Sequence, residues 1–250
     1  MKKQTFKVVI PARFESVRFP GKVLTKINEK PMIQHVYEKA AASGADEIVI
    51  AVDNKDVAEQ VGRFMDNIEF TDISQPSGTD RIREVLENRG WSDDTLIVNV
   101  QGDSPLISPT SIDQVGKILQ VNTDADIATL ATRITKVEDF NNSNVVKVVW
   151  DARGNALYFS RAPIPAQDGY AVYAWRHLGI YGYRVHALRT ITSSGVVSIE
   201  RFEKLEQLRA LYMGLKIKVA IAEEPHGPDV DVPEDVAAVE DILIDIASER

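Results

Sequence analysis

Residues 6–22 read FKVVIPARFESVRFPGK, an apolar, β-branched run followed at once by a basic loop. Phe6–Ala12 predicts a strand, because β-branched and aromatic residues favour the extended backbone. The loop brings Arg13, Arg18 and Lys22 to the end of that strand. Ligands of open α/β sheets bind at the carboxyl ends of strands, so the loop predicts a site for a small polyanion. It matches neither the Walker A pattern nor GxGxxG, and a solvated loop with scattered cations is the alternative.

The rest of the first half alternates between apolar strands and amphipathic helices. Glu47–Val52 (EIVIAV) and Thr95–Val100 (TLIVNV) are near-continuous apolar runs, which are typical of strands covered on both faces. This βαβα order predicts parallel strands, right-handed crossovers and helices on both faces of the sheet. The predicted helices are Pro31–Ser43, Asn54–Met65, Thr79–Asn88 and Pro109–Val121.

The second half is richer in strands. The WDARGN turn predicts a hairpin around Gly154, and the amphipathic run Ser198–Gly214 predicts one helix. The long loop Ala162–Trp175 has a length usually kept for function. We therefore expect one mixed α/β domain, with a β-rich insertion over the ligand edge of the sheet. The other predicted elements are strands at Asp126–Ile134, Val145–Trp150, Ala156–Ser160, His177–Arg184 and Lys216–Ala222, and a closing helix at Pro233–Ser248.

Composition excludes several classes of protein. The 250 residues contain no Cys, which removes disulfide scaffolds, thiol catalysis and iron–sulfur clusters. The four His show no HxH or HExxH spacing, so no zinc site is indicated. A net charge of −8 disfavours general nucleic-acid binding, although residues 1–30 carry eight Lys/Arg against two Asp/Glu. No apolar run approaches the ~20 residues of a membrane span, and we expect a cytoplasmic protein that binds neither nucleic acid nor membranes.

Two acidic segments carry candidate ligands for Mg²⁺. Asp103 follows the strand TLIVNV in the segment Gln101–Pro105 (QGDSP), and a lone carboxylate at a strand end suits this ion. Asp231 lies in PDVDVPED, residues 228–235, and is the candidate for a second carboxylate on the same ion. The alternatives are an Asp-Ser-Pro turn for the first segment and acids that open the last helix for the second.

The segment SGTDR, Ser77–Arg81, predicts a small-residue loop before a helix, with Thr79 as the helix cap. Such a loop lets a nucleobase approach the backbone of Ser77 and Gly78, and Arg81 supplies a donor. A cap with no further role is the alternative.

Several polar residues of the second half suggest a pocket for a sugar-like ligand. His177, Tyr181 and Tyr183 alternate onto one face of a strand, which suits either such a pocket or the core. Arg161 follows the strand ALYFS and can pair a carboxylate with two hydrogen bonds. Glu206 lies on the buried flank of the predicted helix, where an ion pair with Arg209 is the alternative.

Together these segments resemble the 3-deoxy-manno-octulosonate cytidylyltransferases, and the resemblance runs nearly end to end. The family implies a Rossmann-like nucleotidyltransferase fold, with a mixed, mostly parallel sheet flanked by helices and a β-rich insertion that forms the sugar pocket. It implies transfer of CMP from CTP to an eight-carbon 3-deoxy-2-ulosonic acid by an Mg²⁺-dependent homodimer, with release of pyrophosphate, for lipopolysaccharide synthesis. The motifs that carry the resemblance are PARFESVRFPGKVL, KPMIQHVYEKA, SGTDR, IVNVQGD, NVVKVVWDARGNALYFSRAPIP, RHLGIYGYR, EKLEQLRAL and VDVPED.

The resemblance also implies roles for segments and residues. Residues 1–122 would form the CTP-binding half, 123–223 the sugar-binding and dimerisation insertion, and 224–250 the closing segment with a metal ligand and the last helix. The implied catalytic residues are Arg13, Lys22 and Asp103, and the implied metal ligands are Asp103 and Asp231. The implied nucleotide contacts are Pro11, Ala12, Arg13, Arg18, Lys22, Ser77, Gly78, Thr79, Arg81 and Gln101. The implied sugar contacts are Gln101, Ser104, Arg161, His177, Tyr181, Glu206 and Gln207.

Two departures from the family pattern fall near the expected sugar. The family commonly has Glu after QGD, where this chain has Ser104, and the loop Ala166–Trp175 is shorter than usual. The segments expected to bind CTP keep the pattern. We therefore expect a sugar altered at its tail, with the 8-amino-8-deoxy form as the first candidate. The alternatives are a CMP-sialic acid synthetase or other sugar nucleotidyltransferase, and a nucleotide-binding regulatory module without turnover.

Overall fold

One central sheet runs through both halves of the chain in the computed structural model, which describes residues 5–15, 19–167 and 173–248. Arg18 of the basic loop and residues 168–172 of the predicted long loop lie outside the described residues. The strands are β1 (Phe6–Ala12), β2 (Lys26–Ile27), β3 (Lys30–Pro31), β4 (Glu47–Val52), β5 (Ile68–Phe70), β6 (Leu96–Asn99), β7 (Ile127–Ile134), β8 (Lys147–Trp150), β9 (Ala156–Ser160), β10 (Ala174–Arg184) and β11 (Ile217–Ile221). The helices are α1 (Met32–Ala41), α2 (Lys55–Val61), α3 (Gly78–Asn88), α4 (Pro109–Val121), α5 (Val137–Asn141), α6 (Val185–Ser193), α7 (Ser198–Glu203), α8 (Gln207–Tyr212) and α9 (Asp235–Ser248).

The central sheet has the strand order β11-β7-β10-β6-β1-β4-β5 and is mostly parallel, as predicted. β1 pairs in parallel with β4 and β6, whereas β10 runs antiparallel to both of its neighbours. The carboxyl ends of β1, β4 and β6 therefore lie at one edge of the sheet. β8 and β9 lie off the main path and form the predicted hairpin, in which Gly154 has a φ of 81°.

Helices pack against both faces of this sheet, and the predicted α/β fold class is confirmed. Successive side chains of a strand point to opposite faces. Val8 and Ile10 of β1 accordingly pack into one apolar layer with Val36 of α1, whereas Val9 packs into the other layer with Ile82 of α3. These two layers fix β1, and with it the start of the basic loop.

The prediction of a single helix over Ser198–Gly214 is wrong, because the chain forms two short helices, α7 and α8. Lys204 follows α7 in the left-handed conformation, with a φ of 55°, and this turns the backbone out of the helix. The apolar side chains of this predicted amphipathic helix therefore do not share one buried face. Leu208 is fully buried, while Phe202 is 84% exposed and Tyr212 is 67% exposed.

Other differences concern short elements and element ends. The ribbon β2–β3, the edge strand β5 and the helices α5 and α6 were not predicted. The predicted long loop ends early, because β10 begins at Ala174. The helix predicted over Asn54–Met65 is shorter: Asn54 caps α2, and the helix ends at Val61. In the part of the chain that the structure describes, no helix has the length and apolar character needed to cross a membrane.

Candidate active site

A cleft of about 330 Å³ opens where β1 and β6 end. The basic loop after β1 and the QGD segment after β6 both contribute to its lining, and so does the first residue of α3. Three motifs that lie far apart in the sequence therefore meet at the edge of the sheet where parallel strands present their carboxyl ends. The lining residues are Pro11, Arg13, Glu15, Lys22, Val23, Gly78, Gln101, Gly102 and Asp103.

Lys22 is the central charged group of this cleft. Its ammonium forms a close ion pair with Asp103 and donates to the carbonyl of Val230 at 3.2 Å, and Oδ1 of Asp231 lies 3.9 Å away. Gly21 precedes it with a φ of 70°, a left-handed conformation that glycine adopts readily and that begins the short 3₁₀ turn from Lys22. The predicted phosphate-binding lysine and the two predicted metal ligands thus share one site.

Asp103 and Asp231 come from distant segments that a backbone hydrogen bond joins. The N–H of Val230 donates to the carbonyl of Asp103 at 2.9 Å, which holds the closing segment against the end of β6. Burial raises the pKa of the Asp103 carboxyl; the ammonium of Lys22 opposes this rise, and the negative charge of Asp229 adds to it.

The donor set around Lys22 fits Mg²⁺. This ion takes one or two carboxylates and fills its remaining positions with substrate phosphates and waters. Asp103 and Asp231 supply two carboxylates around one cationic centre. Among the described residues there is no group of three or more His, Cys, Asp or Glu side chains arranged to hold a metal ion.

The other residues predicted from the basic loop divide between cleft and core. Arg13 lines the cleft and donates to the carbonyl of Gln75 at 3.2 Å, which ties it to the segment before α3. Pro11 also lines the cleft, whereas the side chain of Ala12 is fully buried in the apolar core. Arg18 lies outside the described residues, and its role stays a prediction.

The SGT segment begins α3, but its capping residue differs from the prediction. Ser77, not Thr79, caps the helix: its hydroxyl oxygen accepts a hydrogen bond from the backbone N–H of Asp80 at 3.1 Å. Gly78 lines both the cleft and a second cavity beside it, and Thr79 lines that second cavity. The segment therefore faces the candidate site, with Ser77 fixing the helix end.

Arg81, predicted as a nucleotide contact, does not line the cleft. Its side chain is fully buried, donates to Oδ2 of Asp53 at 2.8 Å and makes a second hydrogen bond to Thr71. Asp53 in turn accepts a hydrogen bond from the backbone N–H of Phe14 at 3.1 Å. Arg81 thus supports the basic loop from the core through Asp53.

The second cavity, of about 170 Å³, adjoins the cleft through Gly78 and Gln101, which line both. It brings together four of the predicted sugar contacts. Burial raises the pKa of Glu206, although hydrogen bonds from Thr79 and Ser77 oppose the rise, and burial also raises the pKa of Tyr181. The lining residues are Gly78, Thr79, Asn99, Gln101, Ile127, Tyr181, Tyr183, Ile191, Glu206 and Gln207.

Asn99 in this cavity was not singled out from the sequence. It is buried at the end of β6, and its Oδ1 atom has no hydrogen-bond partner in the described part of the protein. Buried polar atoms are nearly always paired, so this acceptor suits a ligand donor. The sequence feature that could have identified Asn99 is its position as a polar residue near the end of the apolar run TLIVNV.

Two charged residues of the second half have protein partners that the sequence did not indicate. The guanidinium of Arg161 donates to the carbonyls of Glu203 and Ser143, each at 2.9 Å, and its role toward a sugar carboxylate stays a prediction. The alternative of an ion pair between Glu206 and Arg209 is wrong. Arg209 pairs with Glu200 instead, at 2.8 Å.

A third cavity, of about 160 Å³, contains the predicted sugar contact His177. The Nε2 atom of His177 lies 3.0 Å from the hydroxyl of Thr129, and burial lowers the pKa of the imidazole to about 3. Its ring lies 5.2 Å from that of Tyr181, a residue of the second cavity. The lining residues are Asn144, Val146, Arg176, His177, Leu178, Gly179, His226 and Asp229.

Ser104, the residue that departs from the family pattern, connects the QGD segment to this third cavity. It is buried, and its hydroxyl donates to Oδ1 of Asp229 at 2.5 Å. The residue that follows Asp103, the predicted metal ligand, therefore contacts a second carboxylate, Asp229, which lines the third cavity.

The sequence pattern of a known family matches residues 7–217 and is described as that of the cytidylyltransferases. The chain belongs to the cytidylyltransferase family. This cytidylyltransferase is 46% identical to the 3-deoxy-manno-octulosonate cytidylyltransferase of Thioalkalivibrio sulfidiphilus (strain HL-EbGR7), over 96% of this chain and 99% of that protein. The family resemblance drawn from the motifs is confirmed, and the chain is a nucleotidyltransferase.

Solved structures agree with this placement. The structure of a CMP:2-keto-3-deoxy-manno-octonic acid synthetase complexed with CTP superimposes with a TM-score of 0.91, at 35% identity over 97% of this chain and 99% of that one. A 4-diphosphocytidyl-2C-methyl-D-erythritol synthase from Anaerococcus prevotii DSM 20548 shares the fold with a TM-score of 0.63, at 13% identity over 96% of each chain.

Proposed function

We propose that this cytidylyltransferase transfers CMP from CTP to the anomeric hydroxyl of a 3-deoxy-octulosonate and releases pyrophosphate. The observation that carries the proposal is the continuity of the site: a cleft with Lys22 between two carboxylates adjoins a polar cavity through Gln101. The 46% identical relative, covered almost end to end, bears the name of this activity. The chemistry of each compartment supports the same assignment.

The cleft suits the triphosphate of CTP. Arg13 and Lys22 supply positive charge beside the backbone of a loop that follows a buried strand. Lys22 stabilises the β- and γ-phosphates as they depart, because negative charge grows on the leaving pyrophosphate as the bond to the α-phosphorus breaks. Gly102 lets the QGD segment lie close to the end of β1, since a Cβ atom at this position would lie 2.7 Å from the carbonyl oxygen of Pro11.

Asp103 and Asp231 are the residues that would hold Mg²⁺. When bound, the ion polarises the phosphate and offsets its charge. The reaction forms a bond from the anomeric oxygen to the α-phosphorus, breaks the bond from that phosphorus to the bridging oxygen of pyrophosphate, and releases the hydroxyl proton to solvent. The protein's part is to align the two substrates, which is the main source of catalysis in phosphoryl and nucleotidyl transfer.

The second and third cavities suit the acceptor. Gln101 lies between cleft and second cavity, so it can contact both substrates at the point where they react. Tyr181, Glu206, Gln207 and the unpaired Oδ1 of Asn99 offer donors and acceptors to sugar hydroxyls.

A homodimer is part of the proposal. The second half of the chain exposes large apolar side chains, with Leu157 at 62% and Phe202 at 84% exposed. It also has an aromatic groove of about 320 Å³ that includes Trp150, Tyr173 and Trp175. Large contiguous apolar patches mark association sites, and we assign the dimer interface to this half of the chain. Light scattering should give twice the chain mass for the parent and a lower mass for Phe202→Arg; a monomeric parent contradicts this part.

The test of the activity is pyrophosphate release from each of the four nucleoside triphosphates with a panel of acceptors. We expect CTP and eight-carbon 3-deoxy-2-ulosonic acids to be used, and Asp103→Asn to lower turnover by about 100-fold or more, as loss of a main electrostatic stabiliser does. Preference for a nine-carbon acid would instead indicate a sialic acid synthetase. No turnover with any acceptor would indicate a nucleotide-binding regulatory protein.

A further inference from the structure

We propose that the third cavity, between Arg176, His177, His226 and Asp229, binds the tail of the acceptor acid, and that Asp229 selects a tail that ends in a protonated amine. This inference rests on the proposed function, because it assigns one part of the acceptor to one part of the site. It adds a specificity-determining residue, Asp229, that neither the motifs nor the comparisons identify.

The position of the cavity supports a role in binding the acceptor. Ser104 follows the candidate metal ligand Asp103 and donates to Asp229. Val230, the residue after Asp229, donates its backbone N–H to the carbonyl of Asp103 at 2.9 Å. His177 extends the connection to the second cavity through its ring contact with Tyr181. A sugar that reacts beside Asp103 therefore has its far end within reach of the third cavity.

An unpaired polar atom indicates that the cavity receives a ligand. The side chain of His226 is 5% exposed, and its buried Nδ1 atom has no hydrogen-bond partner among the described residues. A buried polar atom without a partner is costly unless a ligand or water completes it. The cavity volume of about 160 Å³ is also sufficient for the last carbons of a sugar and their substituents, since a water-sized group takes ~30 Å³.

The charges around Asp229 favour a cationic group in the ligand. Asp229 presents its carboxylate to the cavity, accepts the hydrogen bond of Ser104 at 2.5 Å and has Nε2 of His226 3.8 Å from its Oδ1. Burial lowers the pKa of the His177 imidazole to about 3, so this ring adds no positive charge at neutral pH. Arg176 lines the cavity and forms no ion pair with Asp229 within the described ranges. An ammonium from the ligand would supply a direct counter-charge.

Ser104 explains how the single carboxylate of Asp229 can bind a cationic tail. Its small hydroxyl donates a neutral hydrogen bond and leaves the cavity open beside Asp229. A Glu at this position, as the related pattern commonly has, would place a second carboxylate and a larger side chain against the first. With Ser at position 104, the cavity therefore still has a carboxylate, but Asp229 supplies it.

The experiment compares an 8-amino-8-deoxy octulosonate with its 8-hydroxy counterpart, in the parent and in Asp229→Asn, which keeps the shape of the side chain. We expect kcat/KM of the parent to favour the amine by about 10- to 100-fold, the range of a hydrogen bond to a charged group. Asp229→Asn should remove most of this preference by lowering the rate with the amine more than the rate with the 8-hydroxy sugar. Asp93→Asn, at an exposed surface carboxylate, is the matched control.

Calorimetric binding of both sugars to the CTP-free protein separates this inference from the proposed function. If neither sugar supports turnover, the proposed function fails, and the binding preference still decides the role of Asp229. A parent without preference, or Asp229→Asn with the parent's preference, overturns the inference. If thermal unfolding shows that Asp229→Asn does not fold, Ser104→Glu takes its place, with the same loss of preference expected and the same outcomes decisive.

Discussion

The ammonium of Lys22 pairs with Asp103 and lies 3.9 Å from Asp231, the two carboxylates proposed to hold Mg²⁺. Replacement of Lys22 by Met removes this charge and keeps an unbranched side chain. We expect Lys22→Met to bind a divalent cation more tightly than the parent in the absence of CTP, because the two carboxylates lose their internal counter-ion. The same variant should bind CTP more weakly without metal, since the triphosphate loses a positive charge.

The expected size of the effect follows from the geometry. Lys22 Nζ lies 3.9 Å from Asp231 Oδ1. At this distance two opposite unit charges attract each other by ~1 kcal/mol in water and by ~4 kcal/mol at an effective dielectric constant of 20. The Asp231 side chain is 52% exposed, so solvent screens much of the interaction. We therefore expect a gain of ~1.4–2.8 kcal/mol, which is about 10- to 100-fold in affinity.

The assay is titration with Mn²⁺, whose free-ion paramagnetic resonance signal reports binding without nucleotide or turnover. Lys26→Met, at an exposed lysine in the same N-terminal basic region, is the matched control and should bind Mn²⁺ like the parent. Equal Mn²⁺ affinity in the parent and Lys22→Met would refute the view that the ammonium and the metal compete for the same carboxylates. If CTP affinity were also unchanged, Lys22 would not belong to the triphosphate site.

Two further predictions concern stability, and one concerns CTP binding. Removal of the buried guanidinium in Arg81→Ala should cost ~3–5 kcal/mol of unfolding free energy by denaturant titration, because it leaves a buried carboxylate unpaired; near-parent stability would contradict this. Gly102→Ala should weaken CTP binding in calorimetry, since its Cβ atom would meet the carbonyl of Pro11, whereas Gly195→Ala has open space and should bind normally. The pKa of His177 is lowered to about 3, so the unfolded chain takes up a proton near pH 6.5 that the folded protein resists; stability should fall as pH falls from about 6.5 toward 3, and His177→Gln should show a shallower fall.

The edge of the sheet that carries the site could be predicted because it depends on local pattern and chain topology. Phe6–Ala12 and Thr95–Val100 are apolar runs long enough to be strands, and parallel strands joined by helices must present their carboxyl ends together. Side chains that directly follow such strands, including Arg13 and Asp103, are therefore placed near one another without knowledge of any contact. Asn99 could not be predicted in this way, because no such positional rule applies to a polar residue within a strand.

The break between α7 and α8 could not be predicted from periodicity. The apolar spacing of residues 198–214 continues across Lys204, and nothing in a lysine indicates a left-handed backbone, which non-glycine residues adopt at a cost. The buried pair of Glu200 and Arg209 spans the break and helps to hold the two short helices together. Tertiary packing therefore decides the conformation of Lys204, against the local helical preference.

Charged residues show most clearly where sequence reasoning ends. Lys22 ends the basic loop and Arg81 ends the SGTDR segment, and both were predicted to contact the nucleotide. Lys22 faces the cleft, where it pairs with Asp103, whereas Arg81 is buried with Asp53. The partner of each is set by contacts between distant segments, which the local sequence does not show. The contact of Ser104 with Asp229 joins positions 125 residues apart. From the sequence, the departure at Ser104 places a difference near the tail of the sugar, but the loss of a carboxylate gives no electrostatic reason for a cationic ligand. The structure places Asp229 beside Ser104. A carboxylate is therefore present at the cavity after all, supplied by position 229, and this favours a cationic ligand.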